Sequence, residues 1–291
     1  MIRIGIVGAE NSHTGHIAKL CNVEHAVPGA KVVMVWGEKP EFAKKAAEFG
    51  QIPTIVAKPE QMLGHIDAVV VDHRHGKFHL KAAEPFVKAR IPTFVDKPFS
   101  CDVAEGRKFL KLARQLGTPV TSFSVLPKHK SFEALVKATA KLGALSAVAM
   151  SGPCDLESIY GGVFFYGVHQ VDVILRAFGY DVKEVQVNVN GPYSTATLYF
   201  KSGLIATLNL LKNRVEGFHM LVIGEKGFHS QALVSDASPY LTGVRTFVKM
   251  FKTRKEPETP EAMLAPVAVL QALAQSIEKK GARVKVPPFT L

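Results

Sequence analysis

The chain has 291 residues, 47% hydrophobic and 21% charged: two ordinary domains fill that length, and the composition excludes disordered, collagen-like and disulfide-scaffold proteins. Its net charge of +11 is spread along the chain, as at Lys44-Lys45, Lys128-His129-Lys130 and Lys279-Lys280, with no basic tail or aromatic RNA-binding motif, so no nucleic-acid partner is expected. Cys21, Cys101 and Cys154 are odd in number and lack CxxC spacing, which reads as reduced and structural; with no secretory h-region and no membrane-spanning run, a cytoplasmic protein without a membrane partner is expected.

In chain order, short β-branched runs alternate with amphipathic stretches, the pattern of βαβ units in a parallel sheet. Strands are predicted at Ile2–Val7, Lys31–Trp36, Ala68–Asp72, Thr93–Asp96 and Pro119–Phe123. Helices are predicted at Gly15–Asn22, Glu41–Phe49, Phe78–Ala89 and Asp102–Leu116. After Ser124 the texture changes. A helix at Ser131–Leu142 precedes a strand at Ser146–Gly152 and a Gly161-Gly162 helix entry. Strands then follow at Glu184–Asn190, Ser194–Phe200, Leu204–Leu210, His219–Ile223 and Phe228–Leu233. Turns as short as Lys201-Ser202-Gly203 imply a mainly antiparallel open sheet with helices on one face. A last helix, Pro260–Lys280, precedes a short strand at Val284–Val286. The expected class is therefore α/β: a Rossmann nucleotide-binding domain over residues 1–123, then an α+β domain over 124–291 whose closing helix can pack back on the first.

The first turn reads Gly5-Ile6-Val7-Gly8-Ala9-Glu10-Asn11-Ser12-His13. A dinucleotide fingerprint wants glycine at the positions of Gly8, Glu10 and His13, so that backbone amides approach the pyrophosphate. Only Gly8 fits, and Glu10 brings a like charge toward the phosphate. The amides of Asn11, Ser12 and His13 can still point at it. After the second strand Glu38 could accept hydrogen bonds from the adenosine ribose, or it is a solvated charge; the lack of an Arg there favours NAD slightly over NADP. The stretch Asp72-His73-Arg74-His75-Gly76-Lys77-Phe78-His79 is dense in imidazoles where sheet topology puts ligands. His73 and His75 would point to opposite faces, and no carboxylate or cysteine completes a known spacing, so no metal is expected.

At Asp96-Lys97-Pro98 the pattern becomes specific: it matches the Glu-Lys-Pro motif of the glucose-fructose oxidoreductase, inositol dehydrogenase and MocA (Gfo/Idh/MocA) family, which the chain resembles along nearly its whole length. His16 matches the histidine after the family's glycine loop and His79 the one opening a later helix. Gly161-Gly162 and Gly167-Val168-His169-Gln170-Val171-Asp172 match its Gly-Gly and Gly-x-His-x-x-Asp stretches, and Gly224-Glu225-Lys226-Gly227 its Gly-Thr-Lys-Gly turn. The resemblance implies an NAD- or NADP-dependent oxidoreductase acting on a sugar, cyclitol or related polyol.

Such chemistry needs a proton acceptor and a cation at the reacting oxygen. Lys97 fits the cation role and could shuttle the proton as well; alternatively it is a surface lysine. His169 fits the relay, or is a hydrogen-bonded core histidine. The family aspartate that accompanies this histidine is replaced by Phe165, so Tyr166 at i−3 is the remaining phenol within reach. Asp172 reads as structural. The implied cofactor contacts are Gly8, Ala9, Glu10, Asn11, Ser12, His13, Glu38, His73, His79, Asp96 and Lys97. Tyr160, Phe164 and Tyr166 could stack on a sugar or belong to the core. The altered glycine loop and Phe165 keep open a non-redox sugar- or nucleotide-binding sensor, or a partner subunit, of the same fold. A homodimer or homotetramer is expected, its surface supplied by Leu198, Phe200, Leu204, Ala206, Leu208 and Leu210 unless these pack on the domain's own helices.

Overall fold

The computed structural model describes residues 1–212 and 217–291. The predicted β-branched runs form β1 (Ile2–Val7), β2 (Ala30–Trp36), β4 (Ala68–Val71), β5 (Thr93–Val95) and β6 (Val120–Thr121), joined by β3 (Thr54–Ile55) at the edge. All pair in parallel, in the order β3-β2-β1-β4-β5-β6. A parallel sheet must be covered on both faces. Ile4, Ile6, Val32 and Val70 meet α1 (Ser12–Asn22) and α2 (Pro40–Gly50); Val7, Val69, Val71 and Val95 meet α3 (His79–Lys88) and α4 (Val103–Gln115). This is the doubly wound order whose ligand crevice lies beyond the carboxyl ends of β1 and β4. Helix α1 starts three residues before its expected Gly15, because Asn11 is extended (φ −76°, ψ 138°) and the chain turns helical directly after it.

The second sheet contains β7 (Leu145–Pro153), β8 (Val182–Asn190), β9 (Tyr193–Phe200), β10 (Ile205–Leu211), β11 (Phe218–Gly224), β12 (Gly227–Leu233) and β13 (Val284–Lys285). Their order is β12-β11-β7-β10-β9-β8-β13, antiparallel except for the β7–β10 pair. The expected α/β class, a Rossmann sheet followed by a mainly antiparallel open sheet, is the observed one. One face packs on α5 (Lys130–Thr139) and α6 (Val163–Phe178). That face carries Leu198, Phe200, Ala206, Leu208 and Leu210, each at most 1% exposed. They are core residues and supply no surface to a second copy, which corrects one of the two readings their alternation allowed. The opposite face carries Ser151, Thr195, Thr197, Thr207 and Asn209, none of them buried.

Two C-terminal helices return to the first sheet. Helix α7 (Leu241–Thr253) was not predicted, although Val244, Phe247, Val248 and Phe251 keep a helical period; these four lie in the core against α1 and β1. Helix α8 (Pro260–Glu278) starts at a Thr259 side chain that accepts the Ala262 N–H at 3.2 Å, with Pro260 in the first turn. It is apolar around its circumference, and both sheets use it. Met263, Leu264, Val267 and Ala268 sit in the first core; Ala265, Val269, Leu270 and Leu273 sit in the second. The three cysteines are free, and burial pushes their thiols up to about 12. Among the described residues no helix is long and apolar enough to cross a membrane.

Candidate active site

Gly8 turns the chain after β1 with φ +105°, and a Cβ there would stand 2.6 Å from the His73 backbone nitrogen. Only glycine lets this turn lie against the end of β4. The next two amides are already satisfied: Ala9 and Glu10 donate to Glu38 Oε2 at 2.8 and 3.0 Å. Glu38 therefore does not reach outward to a ribose, as the sequence had allowed. Unpaired amides in a tight turn attract the nearest carboxylate, and the end of β2 supplies it. Glu38 Oε1 is buried without a partner. The Glu10 side chain leaves the loop and accepts the Tyr160 hydroxyl at 2.7 Å, so it bridges from the first sheet's loops to the segment before α6. Arg74 covers the rings of Tyr160 and Phe165, at 4.3 and 5.3 Å from their centroids.

Beneath the loop lie two buried carboxyls. Asn11 Nδ2 donates to Asp72 Oδ1 at 2.9 Å and Asp96 Oδ2 at 3.1 Å, and His13 Nδ1 lies 3.1 Å from Asp96 Oδ2. Burial pushes Asp72 well above the usual carboxylate range, and the charge of Asp96 pushes it further. Burial also acts on Asp96, but His13 and Lys97 outweigh it and hold Asp96 below that range. The hydrogen bonds agree with one proton on Asp72. Thr14 Oγ1 is 2.5 Å from Asp72 Oδ2 and 2.8 Å from the Gly8 carbonyl, so a protonated Asp72 donates to Thr14 and Thr14 donates to Gly8. Ligand atoms of His13, Asp72 and Asp96 all lie within 4.8 Å of one another, spacing that would suit a cation. Neither aspartate's partner across the loop was legible in the sequence.

Above this cluster is a cavity of about 410 Å³ lined by the loop residues Glu10 to His13, by Arg74 and Lys97, by Phe165, Tyr166 and His169 on α6, and by Tyr240 before α7. Lys97 Nζ is 3.9 Å from Asp96 and 5.7 Å from the Phe165 ring centroid. His169 Nδ1 is 2.8 Å from Ser124 Oγ. Its ring lies 5.7 Å from that of Tyr166 and 5.6 Å from that of Phe218. Tyr166 thus lies beside the imidazole with its ring tilted by 57°, while Ser124, absent from the sequence expectations, takes the hydrogen bond. Burial holds His169 well below its usual pKa, and Lys97 and His13 act in the same direction. Tyr240 stacks on His16 (5.0 Å, 25°) and tilts against His13 (5.0 Å).

Of the residues expected at the site, Glu10, Asn11, Ser12, His13, Lys97, Tyr166 and His169 open onto this cavity. His79 is fully buried below it, with its two ring nitrogens 2.8 Å from the carbonyls of Pro98 and His73. It ties the Lys97-Pro98 turn to the end of β4 and cannot touch a ligand, a second correction. Phe164 belongs to the second core, while His75 accepts the Lys77 N–H at 3.3 Å and packs on Gly161. His73 is 7% exposed with Nδ1 unpartnered.

Burial, with His79 beside it, lowers His73 to about 4. A depressed histidine contributes stability above its unfolded value of about 6.5 and loses it as pH falls toward the folded value, because only the unfolded chain takes up the proton in between. His73→Leu is therefore expected to remove about 2 kcal/mol of the acid destabilisation at about pH 5. Urea unfolding of both proteins at about pH 7 and 5 checks it, and parallel losses in the two would reject the assignment.

Residues 2–123 match the oxidoreductase family with an NAD-binding Rossmann fold. No curated protein sequence matches the chain. Among solved structures, a probable dehydrogenase from Thermotoga maritima is similar at 18% identity and TM-score 0.83, over 98% of this chain and 99% of the other. The scyllo-inositol dehydrogenase of Lactobacillus casei, solved with NAD(H) and scyllo-inositol, is similar at 19% identity and TM-score 0.83, over 98% and 99% of the two chains. The myo-inositol dehydrogenase of Lactobacillus casei, solved with NAD(H) and myo-inositol, gives 18% and 0.82, over 99% and 97%.

Proposed function

We propose that the chain, whose residues 2–123 match the oxidoreductase family with an NAD-binding Rossmann fold, is a dehydrogenase moving hydride between a nicotinamide cofactor, NAD in preference to NADP, and a carbon of a sugar, cyclitol or related polyol. The observation that carries this reading is the single cavity onto which Lys97, His169 and the first turn of α1 all open.

The groove fits such a cofactor in part. Asn11 spends its side chain on Asp72 and Asp96 rather than on capping α1, which leaves first-turn amides of that helix to face a phosphate. Against the fit, Glu38 occupies the Ala9 and Glu10 amides, and Glu10 sets a carboxylate beside them. When bound, the nicotinamide ring supplies the hydride acceptor or donor. The chain's own residues handle the proton and the charge. In the oxidation direction His169 Nε2 takes the hydroxyl proton, and the Lys97 ammonium stabilises the oxygen as it gains charge. Tyr166 and Phe165 wall the cavity.

Titration with NADH and NADPH, followed by nicotinamide fluorescence, tests the reading; micromolar binding of either supports it, and a polyol screen for turnover then follows. Glu10→Gly is expected to tighten binding about tenfold, the effect of removing one like charge near a phosphate at intermediate dielectric. Equal or weaker affinity in calorimetry would count against this reading of the loop. A second reading, a non-redox sensor or partner subunit, is favoured by Glu38 on the loop amides together with the Glu10–Tyr160 bridge. It predicts that neither dinucleotide binds.

A further inference from the structure

A small cavity of about 20 Å³ lies between α6, α8 and the Lys97-Pro98-Phe99 turn, and its polar lining is Lys97, Ser122, Ser124 and Asp172. One water needs roughly 10–15 Å³ and two to four polar partners, so the space suits one. Asp172 is 3% exposed; its Oδ1 accepts the Arg176 Nε–H at 2.8 Å, and its Oδ2 has no hydrogen-bond partner in the protein. A buried carboxylate oxygen calls for a donor. Ser124 is 2% exposed, and its Oγ accepts the Leu126 N–H at 3.2 Å and lies 2.8 Å from His169 Nδ1.

Ser124 has one hydroxyl proton to give. Given to His169 Nδ1, it leaves the imidazole's own proton on Nε2, and the nitrogen facing the main cavity is a donor. Given to a water in the small cavity, it obliges Oγ to accept from Nδ1–H, and Nε2 then presents a lone pair. The carboxylate decides between these. It can only accept, so the water gives one proton to Oδ2; Ser122 Oγ, whose own proton goes to the Asp96 carbonyl, takes the other, and the water's oxygen is left to accept from Ser124. We propose that Asp172, acting through one buried water and Ser124, is a positioning residue that holds His169 in the Nδ1–H tautomer, with Nε2 free to take a proton.

The groups facing His169 are consistent with a neutral ring: burial, Lys97 and His13 disfavour its cation and outweigh Asp96, while Tyr166 and Phe218 contribute tilted aromatic rings. The use of the bare nitrogen in proton transfer rests on the dehydrogenase reading; the tautomer does not. The test is a long-range proton–nitrogen correlation spectrum of the full chain labelled at histidine nitrogens, without cofactor or substrate, at about pH 8, chosen on the alkaline side because burial pushes the Asp172 carboxyl up while Arg176 beside it acts the other way. His169→Gln assigns the signals.

In the wild type the proton is expected on Nδ1. Asp172→Asn should keep its carbonyl on Arg176 and turn its NH2 toward the water. Every donor in the chain then reverses, and the proton moves to Nε2. Should that variant fail to fold, Ser124→Ala breaks the same link and is expected to lose the Nδ1–H preference. A wild-type ring protonated at Nε2, or a tautomer unchanged in a folded variant, overturns the proposal. If polyol turnover is found, Asp172→Asn should lower kcat about 10- to 100-fold at nearly constant KM, since it alters a proton acceptor without touching the substrate.

Discussion

Lys97→Ala is expected to keep its fold and lose turnover by about 10²- to 10³-fold, the cost of deleting one preorganised charge from a developing oxyanion. The fold should survive because little structure depends on the ammonium. Its nearest acid, Asp96, is 3.9 Å away and keeps His13 and Asn11 as closer partners at 3.1 Å each. The Phe165 ring is a looser contact still, at 5.7 Å. Circular dichroism and melting temperature should therefore match the wild type, while kcat with the polyol that supports wild-type turnover falls. Retained turnover in a folded Lys97→Ala protein would remove Lys97 from the reaction.

Arg176→Ala carries the largest expected cost in stability. Its guanidinium donates to Asp172 through Nε at 2.8 Å and to Glu258 through Nη1 at 2.9 Å, joining α6 to the segment that leads into α8. Both acids are nearly buried, at 3% and 7% exposed. Removing the arginine leaves Asp172 without its ion-pair partner and Glu258 with Lys128 alone, 2.5 Å away. Breaking a buried charge network on one side costs roughly 3–5 kcal/mol, because the remaining charge loses its partner without regaining water. The urea midpoint should fall accordingly at near-constant slope. A loss below about 1 kcal/mol would mean that solvent reaches the cluster.

The two sheets and most of their strands were legible because β-branched runs separated by amphipathic helices leave few alternatives; the strand orders, the edge strand β3 and the parallel β7–β10 pair were not. That Lys97 and His169 share one cavity was legible because each stands in a motif that resembles the family's, one at the end of a strand and one inside a helix. What sequence could not give is which side chains turn back. Glu38 stands where a ribose acceptor belongs, yet it satisfies the amides of the neighbouring loop, a pairing 28 to 29 residues apart in sequence. Ser124 lies in a connecting segment with no motif of its own, and its relation to His169 exists only because α6 crosses beneath that segment. Tyr240 reaches the cavity from a loop whose local sequence is ordinary, and Arg74 from the imidazole-rich stretch after β4, where the histidines drew attention away from it. Helix α7 did have a readable period; its basic residues at Arg245, Lys249 and Lys252 obscured an apolar stripe that the fold places against a sheet more than 200 residues earlier.

Helix α8 lends its side chains to both hydrophobic cores, and this bears on how such a chain can be cut and recombined. Severed after residue 123, the N-terminal segment would expose the apolar surface at α4 that Met263, Leu264, Val267 and Ala268 now cover, and would also lack Phe247 and Phe251. The C-terminal segment would carry those same apolar residues into solvent. The Rossmann portion is therefore a module in sequence alone: as a gene fragment it would travel badly, and a split version should become soluble only when both pieces are co-expressed.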